Sequence, residues 1–147
     1  MSDLIFYTNP MSRGRIVRWM LEELGCKYRT EVIEYGTAMK TEPFISINPM
    51  GKVPTISHLG KNITETPAIL AYLADAFPEA GLAPALNERD AYYRWLFFAA
   101  GPLESALMNK SLGFEVPDDP KTQGMAGYGN YDLLVKVLAQ SLTGVNY

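Results

Sequence analysis

Cysteine and histidine are nearly absent from this sequence of 147 residues, which contains only Cys26 and His58. One cysteine cannot close a disulfide within the chain, and there is no Cys-x-x-Cys motif for dithiol redox chemistry. Such sparing use of cysteine fits a reducing compartment. We expect Cys26, which follows Gly25 at a predicted helix end, to be a structural thiol. His58 has no companion at the spacing of metal ligands, so we expect no metal site.

Long apolar runs and a surplus of basic residues are missing as well. No stretch reaches the roughly 18–20 apolar residues of a membrane helix, and the N-terminus carries Asp3 instead of a basic signal-peptide segment. With a net charge of -3, nucleic-acid binding is disfavoured. Arg13, Arg15 and Arg18 form one local basic cluster, which we interpret as part of a single helix. The sequence therefore predicts a soluble cytoplasmic protein that binds neither nucleic acid nor membrane.

Residues 1–78 alternate between the patterns of strands and helices. Apolar segments at Leu4–Tyr7 and Tyr28–Tyr35 predict two strands. The segment between them predicts a helix that Ser12 caps and Gly25 ends. A helix between two strands indicates a βαβ unit with a parallel pair.

The second half of this region predicts a short helix, a hairpin and a longer helix. Residues 36–42 are loop-like, and residues 43–47 predict one or two helical turns. Strands at 55–59 and 62–64 are expected to pair antiparallel. Thr66 is expected to cap the last helix. The resulting order is β-α-β-α-β-β-α, an α/β domain.

The remainder of the chain shows only helical patterns. Residues 79–87, which include proline and glycine, predict a linker, and residues 88–147 predict an all-α domain. Within it, apolar residues recur at helical spacing from Tyr92 to Leu103. Residues 118–130 are rich in glycine and polar residues and predict a mobile loop. Residues 131–142 predict a second amphipathic helix.

Three motifs stand out at a specific spacing: NPMSR at 9–13, NPMGKVP at 48–54 and ETPAILAYL at 65–73. Together they resemble the cytosolic glutathione transferase superfamily, in its serine- or cysteine-type bacterial form. The resemblance is dense over residues 1–78 and loose beyond them.

The resemblance implies a thioredoxin-like, glutathione-binding domain at residues 1–78, followed by an all-α domain. The helical part at 88–147 is shorter than in the family and is expected to be partial. Two interpretations remain open, a fragment of a longer protein and a natural short form. The resemblance also implies a homodimer.

The resemblance further assigns a glutathione site. The Val53-Pro54 bond is expected to be cis, with the Val53 backbone N–H and C=O pairing with the cysteinyl part of glutathione. Glu65 is expected to bind the γ-glutamyl ammonium. Thr66 and the N–H groups of the following helix are expected to bind the γ-glutamyl carboxylate.

Two lysines are candidates for the glycine carboxylate of glutathione. Lys52 lies within the second motif, and Lys40 lies in a segment that usually supplies a partner in the family. The alternative for each is an ordinary solvated surface lysine.

A hydroxyl is expected to stabilise the glutathione thiolate by donating to sulfur. Ser12 stands after the first strand, where serine-type members carry this group, and Tyr7 stands where tyrosine-type members carry theirs. Alignment of this segment with the family's motif is ambiguous, so both hydroxyls remain candidates. We prefer Ser12, because a helix start offers backbone donors as well.

The activity that the resemblance implies is conjugation of glutathione, as cosubstrate, to small hydrophobic electrophiles in detoxification. Reduction of peroxides would use the same thiolate. The alternative is a non-catalytic glutathione-binding or protein-interaction module of the same fold. A dithiol oxidoreductase is disfavoured, because residues 9–13 contain no cysteine.

Overall fold

The computed structural model describes residues 3–144, so residues 1–2 and 145–147 of the predicted domains lie outside the described part. The chain divides into two compact units, with the division between Arg89 and Asp90.

The first unit is a four-stranded mixed sheet with helices. Its elements are β1 (Leu4–Thr8), α1 (Gly14–Leu24), β2 (Arg29–Val32), α2 (Thr37–Lys40), α3 (Phe44–Ile47), β3 (Thr55–His58), β4 (Lys61–Thr64) and α4 (Thr66–Ala76). The strand order is β2-β1-β3-β4. β1 pairs parallel with β2 and antiparallel with β3, and β3 pairs antiparallel with β4. The predicted thioredoxin-like order is confirmed.

The core of the first unit lies between one face of the sheet and the helices α1 and α4. β1 alternates buried and half-buried residues, as a strand with one covered face does. The fully buried core residues are Leu4, Phe6, Val17, Leu21, Ile56, Ile69 and Leu73. This core holds β1 and β3 side by side, and the candidate site forms at their ends.

Three local predictions in the first unit are wrong. The predicted loop 36–42 contains the single helical turn α2. Ser12 is not the cap of α1, since Arg13 holds that position; the Ser12 hydroxyl instead accepts the Gly14 N–H at 3.0 Å in the preceding turn. Thr66 is the first residue of α4 and Glu65 is its cap residue, without a side-chain capping bond. The two caps are each displaced by one residue, which is within the usual uncertainty of helix boundaries.

The segment after α4 is bound back to the first unit. It contains 3₁₀ turns at Pro78–Ala80 and Leu86–Glu88. The Arg89 guanidinium lies 2.8 Å from the Asp75 carboxylate and donates to the Pro84 carbonyl oxygen at 3.0 Å. These bonds hold the predicted linker against α4.

The second unit is helical. It contains α5 (Asp90–Phe98), a π-helical segment (Ala99–Leu103), α6 (Glu104–Leu112), α7 (Pro120–Met125) and α8 (Tyr131–Ser141). The π-helical segment includes Pro102, whose missing N–H disturbs the regular hydrogen-bond ladder. Within residues 3–144, no helix has the length and apolar character needed to cross a bilayer.

The prediction of a mobile loop at 118–130 is wrong for six of its thirteen residues, because α7 forms there. The Asp119 carboxylate accepts the backbone N–H groups of Lys121 and Thr122, and Pro120 occupies the first turn. An aspartate cap followed by proline is a helix-start signal. The Thr122 hydroxyl also donates to this carboxylate. This side-chain bond is the largest cause that holds the pKa of the Asp119 carboxyl below its usual value, and the backbone N–H bonds add to it.

Candidate functional site

The registers of three strands bring the candidate residues to one end of the sheet, where these strands begin or end. Tyr7 pairs with Thr55, and Thr55 pairs with Thr64. The end of β1, the start of β3 and the end of β4 therefore lie side by side. The segments that follow or precede these ends are the three sequence motifs, at 9–13, 48–54 and 65–73.

Asn48 organises the loop of the second motif. This buried side chain donates to the Lys52 carbonyl oxygen at 2.8 Å and to the Thr55 hydroxyl at 3.1 Å. Its carbonyl oxygen accepts the Met50 N–H at 3.1 Å. The Thr55 hydroxyl in turn donates to the Lys52 carbonyl oxygen at 3.1 Å. The loop is thus tied to the start of β3 from inside.

The loop ends at Val53-Pro54, whose peptide bond is cis, as the resemblance implies. The backbone N–H and C=O of Val53 form no hydrogen bond with any other residue within 3–144. Half-buried backbone groups in native proteins are usually paired. Val53 lies just before β3 at one end of the sheet, and its unpaired N–H and C=O fit the backbone of a ligand that is itself a peptide.

The two lysines differ in what they contact. The Lys40 ammonium donates to the carbonyl oxygens of Met50 and Gly51, each at 2.9 Å. Lys40 therefore joins α2 to the loop of the second motif. The exposed Lys52 makes no hydrogen bond or ion pair from its ammonium to residues 3–144. The Lys52 ammonium is thus left without a partner among the described residues, whereas Lys40 already has two acceptors.

Glu65 and Thr66 stand at the start of α4. The Glu65 backbone has φ 66° and ψ 117°, a conformation that non-glycine residues rarely adopt. Such strain costs on the order of 1–3 kcal/mol and tends to occur at functional sites. Neither the exposed Glu65 carboxylate nor the Thr66 hydroxyl is bonded to another side chain or backbone group of the described residues. Both are available to a ligand.

Ser12 lies in the turn that connects β1 to α1. Its hydroxyl donates to the Asn9 carbonyl oxygen at 2.7 Å and accepts the Gly14 N–H at 3.0 Å. The Ser12 N–H also donates to the Asn9 carbonyl oxygen, at 2.9 Å. Rotation of the O–H away from Asn9 would direct the proton to a ligand without moving the backbone.

Tyr7 occupies the face of β1 that is opposite to α1. Its ring packs against Phe44 of α3, with ring centroids 5.8 Å apart. Its hydroxyl has no hydrogen-bond partner among residues 3–144. The structure thus places both predicted hydroxyls at the end of β1, one in the turn and one on the strand.

The sequence reasoning missed the two buried asparagines, Asn9 and Asn48. Each begins an Asn-Pro-Met triplet and accepts the methionine N–H, at 3.0 Å in the first turn and 3.1 Å in the second. Asn9 also donates to the Ile33 carbonyl oxygen at 3.0 Å, which ties its turn to the end of β2. The repeated triplet was a signal for two matching turns.

The remaining chemically distinctive side chains serve packing. Cys26 precedes β2, at the end of the sheet opposite to the candidate site, and burial raises the pKa of its thiol. His58 Nδ1 lies 2.9 Å from the Tyr72 hydroxyl, and its ring stacks on Phe77. Over residues 3–144, no group of three or more His, Cys, Asp or Glu side chains is arranged to hold a metal ion.

Comparison with known protein families identifies the region that contains the site. The family model described as "Glutathione S-transferase, N-terminal domain" matches residues 2–75. This span covers half of the chain and contains all three motifs.

Curated relatives carry related names. The glutathione S-transferase-like protein OpS6 of Beauveria bassiana is 37% identical over 104 residues, covering 68% of this chain and 45% of that protein. A probable glutathione S-transferase of Nicotiana tabacum is 35% identical over 92 residues, covering 62% and 38%. Glutathione S-transferase D7 of Drosophila melanogaster is 31% identical over 113 residues, covering 73% and 50%. The chain spans half or less of the length of these relatives.

Solved structures share the fold. The transferase URE2P6 from Phanerochaete chrysosporium, in complex with oxidized glutathione, matches with a TM-score of 0.74 at 23% identity, over 99% of this chain and 70% of that one. A sphingomonad glutathione S-transferase complexed with glutathione matches with a TM-score of 0.69 at 26% identity, over 95% and 70%.

Proposed function

The chain belongs to the glutathione transferase superfamily, and on this premise we propose that it binds reduced glutathione and conjugates it to small hydrophobic electrophiles. The observation that carries the proposal is that three motifs lie together at one end of the sheet, near the unpaired backbone groups of Val53. In this proposal residues 1–78 bind glutathione, residues 79–87 are a linker and residues 88–147 form a helical domain.

Glutathione would lie across this end of the sheet. Its cysteinyl peptide groups pair with Val53, before Pro54. Its ammonium pairs with Glu65, and its γ-glutamyl carboxylate accepts from Thr66 and the start of α4. Lys52 faces the glycine carboxylate, and Lys40 holds the adjoining loop and has a further N–H for the same anion.

Catalysis requires that the bound thiol becomes a thiolate. Lowering a thiol pKa by about two units requires about 2.7 kcal/mol of preferential thiolate stabilisation. We assign this role to the Ser12 hydroxyl, whose O–H would turn from the Asn9 carbonyl oxygen to the bound sulfur. Tyr7 is the second candidate, since its hydroxyl has no partner among the described residues.

The thiolate then attacks the electrophilic carbon of the second substrate, so the nucleophile belongs to the cosubstrate. Reduction of hydroperoxides is a further reaction that the same thiolate supports. A cytoplasmic homodimer acting in detoxification completes the proposal.

The first test is calorimetric titration of the folded chain with reduced glutathione. We expect saturable binding at one site per chain. Ser12→Ala should abolish turnover while Tyr7→Phe retains it; the reverse result would assign the hydroxyl to Tyr7. Absence of glutathione binding by a folded chain would contradict the proposal.

A non-catalytic glutathione-binding module is the second candidate function. The observation that favours it is that the Ser12 hydroxyl already donates to Asn9 and accepts from Gly14. In that case Ser12→Ala and Tyr7→Phe would both leave glutathione affinity unchanged, and the wild-type chain would show no turnover.

A further inference from the structure

Arg15 reaches back from the first turn of α1 to the turn that carries Ser12. Its Nε donates to the Pro10 carbonyl oxygen at 2.8 Å. The Ser12 N–H bonds to the Asn9 carbonyl oxygen at 2.9 Å, so residues 9–12 form one tight turn. The guanidinium is therefore bonded to the same turn that carries the Ser12 hydroxyl.

The rest of the Arg15 guanidinium is available. Beyond the bond to Pro10, it makes no hydrogen bond or ion pair with residues 3–144, and the side chain is exposed. A guanidinium that is oriented through Nε still presents its terminal nitrogens as a planar fork. This fork matches a carboxylate in a bidentate manner, which a lysine cannot do.

The sequence segment around Arg15 is positive, although the whole chain has a net charge of -3. From residue 9 to residue 21 the only charged side chains are Arg13, Arg15 and Arg18. The nearest acid along the helix, Glu22, lies 3.7 Å from Arg18. No carboxylate of this segment competes for Arg15.

An apolar side chain accompanies this charge. Met11 lies in the same turn and is 78% exposed, and its N–H is held by the Asn9 side chain at 3.0 Å. The turn that carries the Ser12 hydroxyl therefore also carries an exposed methionine side chain and is bonded to a guanidinium. A flexible thioether makes favourable contacts with aromatic rings.

We propose that Arg15 determines specificity for the second substrate, and that this substrate is an aromatic electrophile carrying a carboxylate. The inference rests on the proposed function, in which Ser12 holds the glutathione sulfur. An electrophile whose reactive carbon meets that sulfur lies against the turn, with its ring near Met11 and its carboxylate within reach of Arg15. Arg15 takes no part in bond formation.

The test uses two glutathione conjugates that differ in one group. Glutathione thiolate displaces chloride from 4-chloro-3,5-dinitrobenzoate: a carbon–sulfur bond forms, the carbon–chlorine bond breaks, and chloride leaves with the electron pair. The primary amide of the same compound gives a matched neutral conjugate. Calorimetric Kd values for both conjugates would be compared among the wild-type chain, Arg15→Met and the control Arg18→Met, which removes an equal charge one turn further along α1.

We expect the wild-type chain to bind the carboxylate conjugate more tightly than the amide. Arg15→Met should weaken binding of the carboxylate conjugate by about 10- to 100-fold, the usual effect of losing a charge-assisted bidentate bond, with a much smaller change for the amide. Arg18→Met should keep the preference. Arg15→Lys, which keeps the charge without the fork, should fall between the wild type and Arg15→Met.

Equal weakening of both conjugates by Arg15→Met would overturn the proposal, because it would assign Arg15 to the sulfur or to the fold. A wild-type chain without preference would overturn it as well. Turnover of the two chlorides separates this inference from the proposed function. If the chain prefers the carboxylate conjugate but converts neither chloride, only the proposed catalytic function is contradicted. If it converts the chlorides but shows no preference between the conjugates, only the proposed role of Arg15 is contradicted.

Discussion

The side-chain amide of Asn48 donates to the Lys52 carbonyl oxygen at 2.8 Å, across the loop that leads to Val53-Pro54. Asn48 is only 3% exposed, and its second acceptor, the Thr55 hydroxyl, is fully buried. One side chain thus holds the loop closed and joins it to the sheet. The shape of the proposed glutathione site depends on this buried group.

Asn48→Ala should lower the free energy of unfolding by about 2–3 kcal/mol, because it leaves buried polar groups without their partner. Urea unfolding measures the change. The control is Asn87→Ala, at an exposed position in a 3₁₀ turn, which should change stability by less than about 0.5 kcal/mol. Equal effects of the two substitutions would contradict the role of Asn48.

Gly51→Ala should destabilise the chain more than Gly60→Ala. Both glycines have positive φ, 55° and 75°. A Cβ at Gly51 would stand 2.5 Å from the Met39 carbonyl oxygen, whereas nothing lies within 4 Å of one at Gly60. Alanine at Gly60 should lower the free energy of unfolding by about 1–2 kcal/mol, the strain of a left-handed backbone at a non-glycine residue. Alanine at Gly51 should lower it clearly more. Urea midpoints that coincide would show that the loop relaxes freely.

Lys40→Met should raise the KM for glutathione with little change in kcat, because it releases the carbonyl oxygens of Met50 and Gly51 beside the binding loop. Initial rates at varied glutathione concentration measure this. Lys61→Met removes an equal charge at the other end of β4 and should leave KM unchanged. A fall in kcat alone would instead place Lys40 in the chemical step.

Cys26 should react slowly with iodoacetamide at mildly alkaline pH. Burial raises the pKa of its thiol, and the bond to its own backbone opposes this only in part. Between the unfolded and the folded pKa, the folded chain therefore carries less of the reactive thiolate. The same chain in urea should react at the rate of an ordinary thiol, and equal rates in both states would contradict the prediction.

The same shift links Cys26 to stability. A pKa that is raised on folding means that the folded chain holds the thiol proton more tightly. The corresponding stability is present below the unfolded pKa and is lost as pH rises through the folded pKa. Cys26→Ala should remove this alkaline loss, which urea midpoints measured across that pH range would detect.

Local patterns predicted most of the secondary structure. The alternation of apolar residues predicted β1, and helical spacing predicted α1 and α4, because both periods depend on neighbours along the chain. The loop predicted at 118–130 was wrong because its proline and glycine residues outweighed the start signal at Asp119-Pro120. There the capping bonds of Asp119 decide the conformation.

The sequence by itself determined the family, the order of strands and helices along the first domain and which segments carry the candidate site, since motif spacing and periodicity are properties of the chain. Only the tertiary structure decided what each side chain contacts. Lys40 meets the carbonyl oxygens of Met50 and Gly51, and Arg15 folds back on Pro10. These hydrogen bonds form because the packing of turns and strands brings distant residues together. Residue types and their spacing along the chain do not specify that packing.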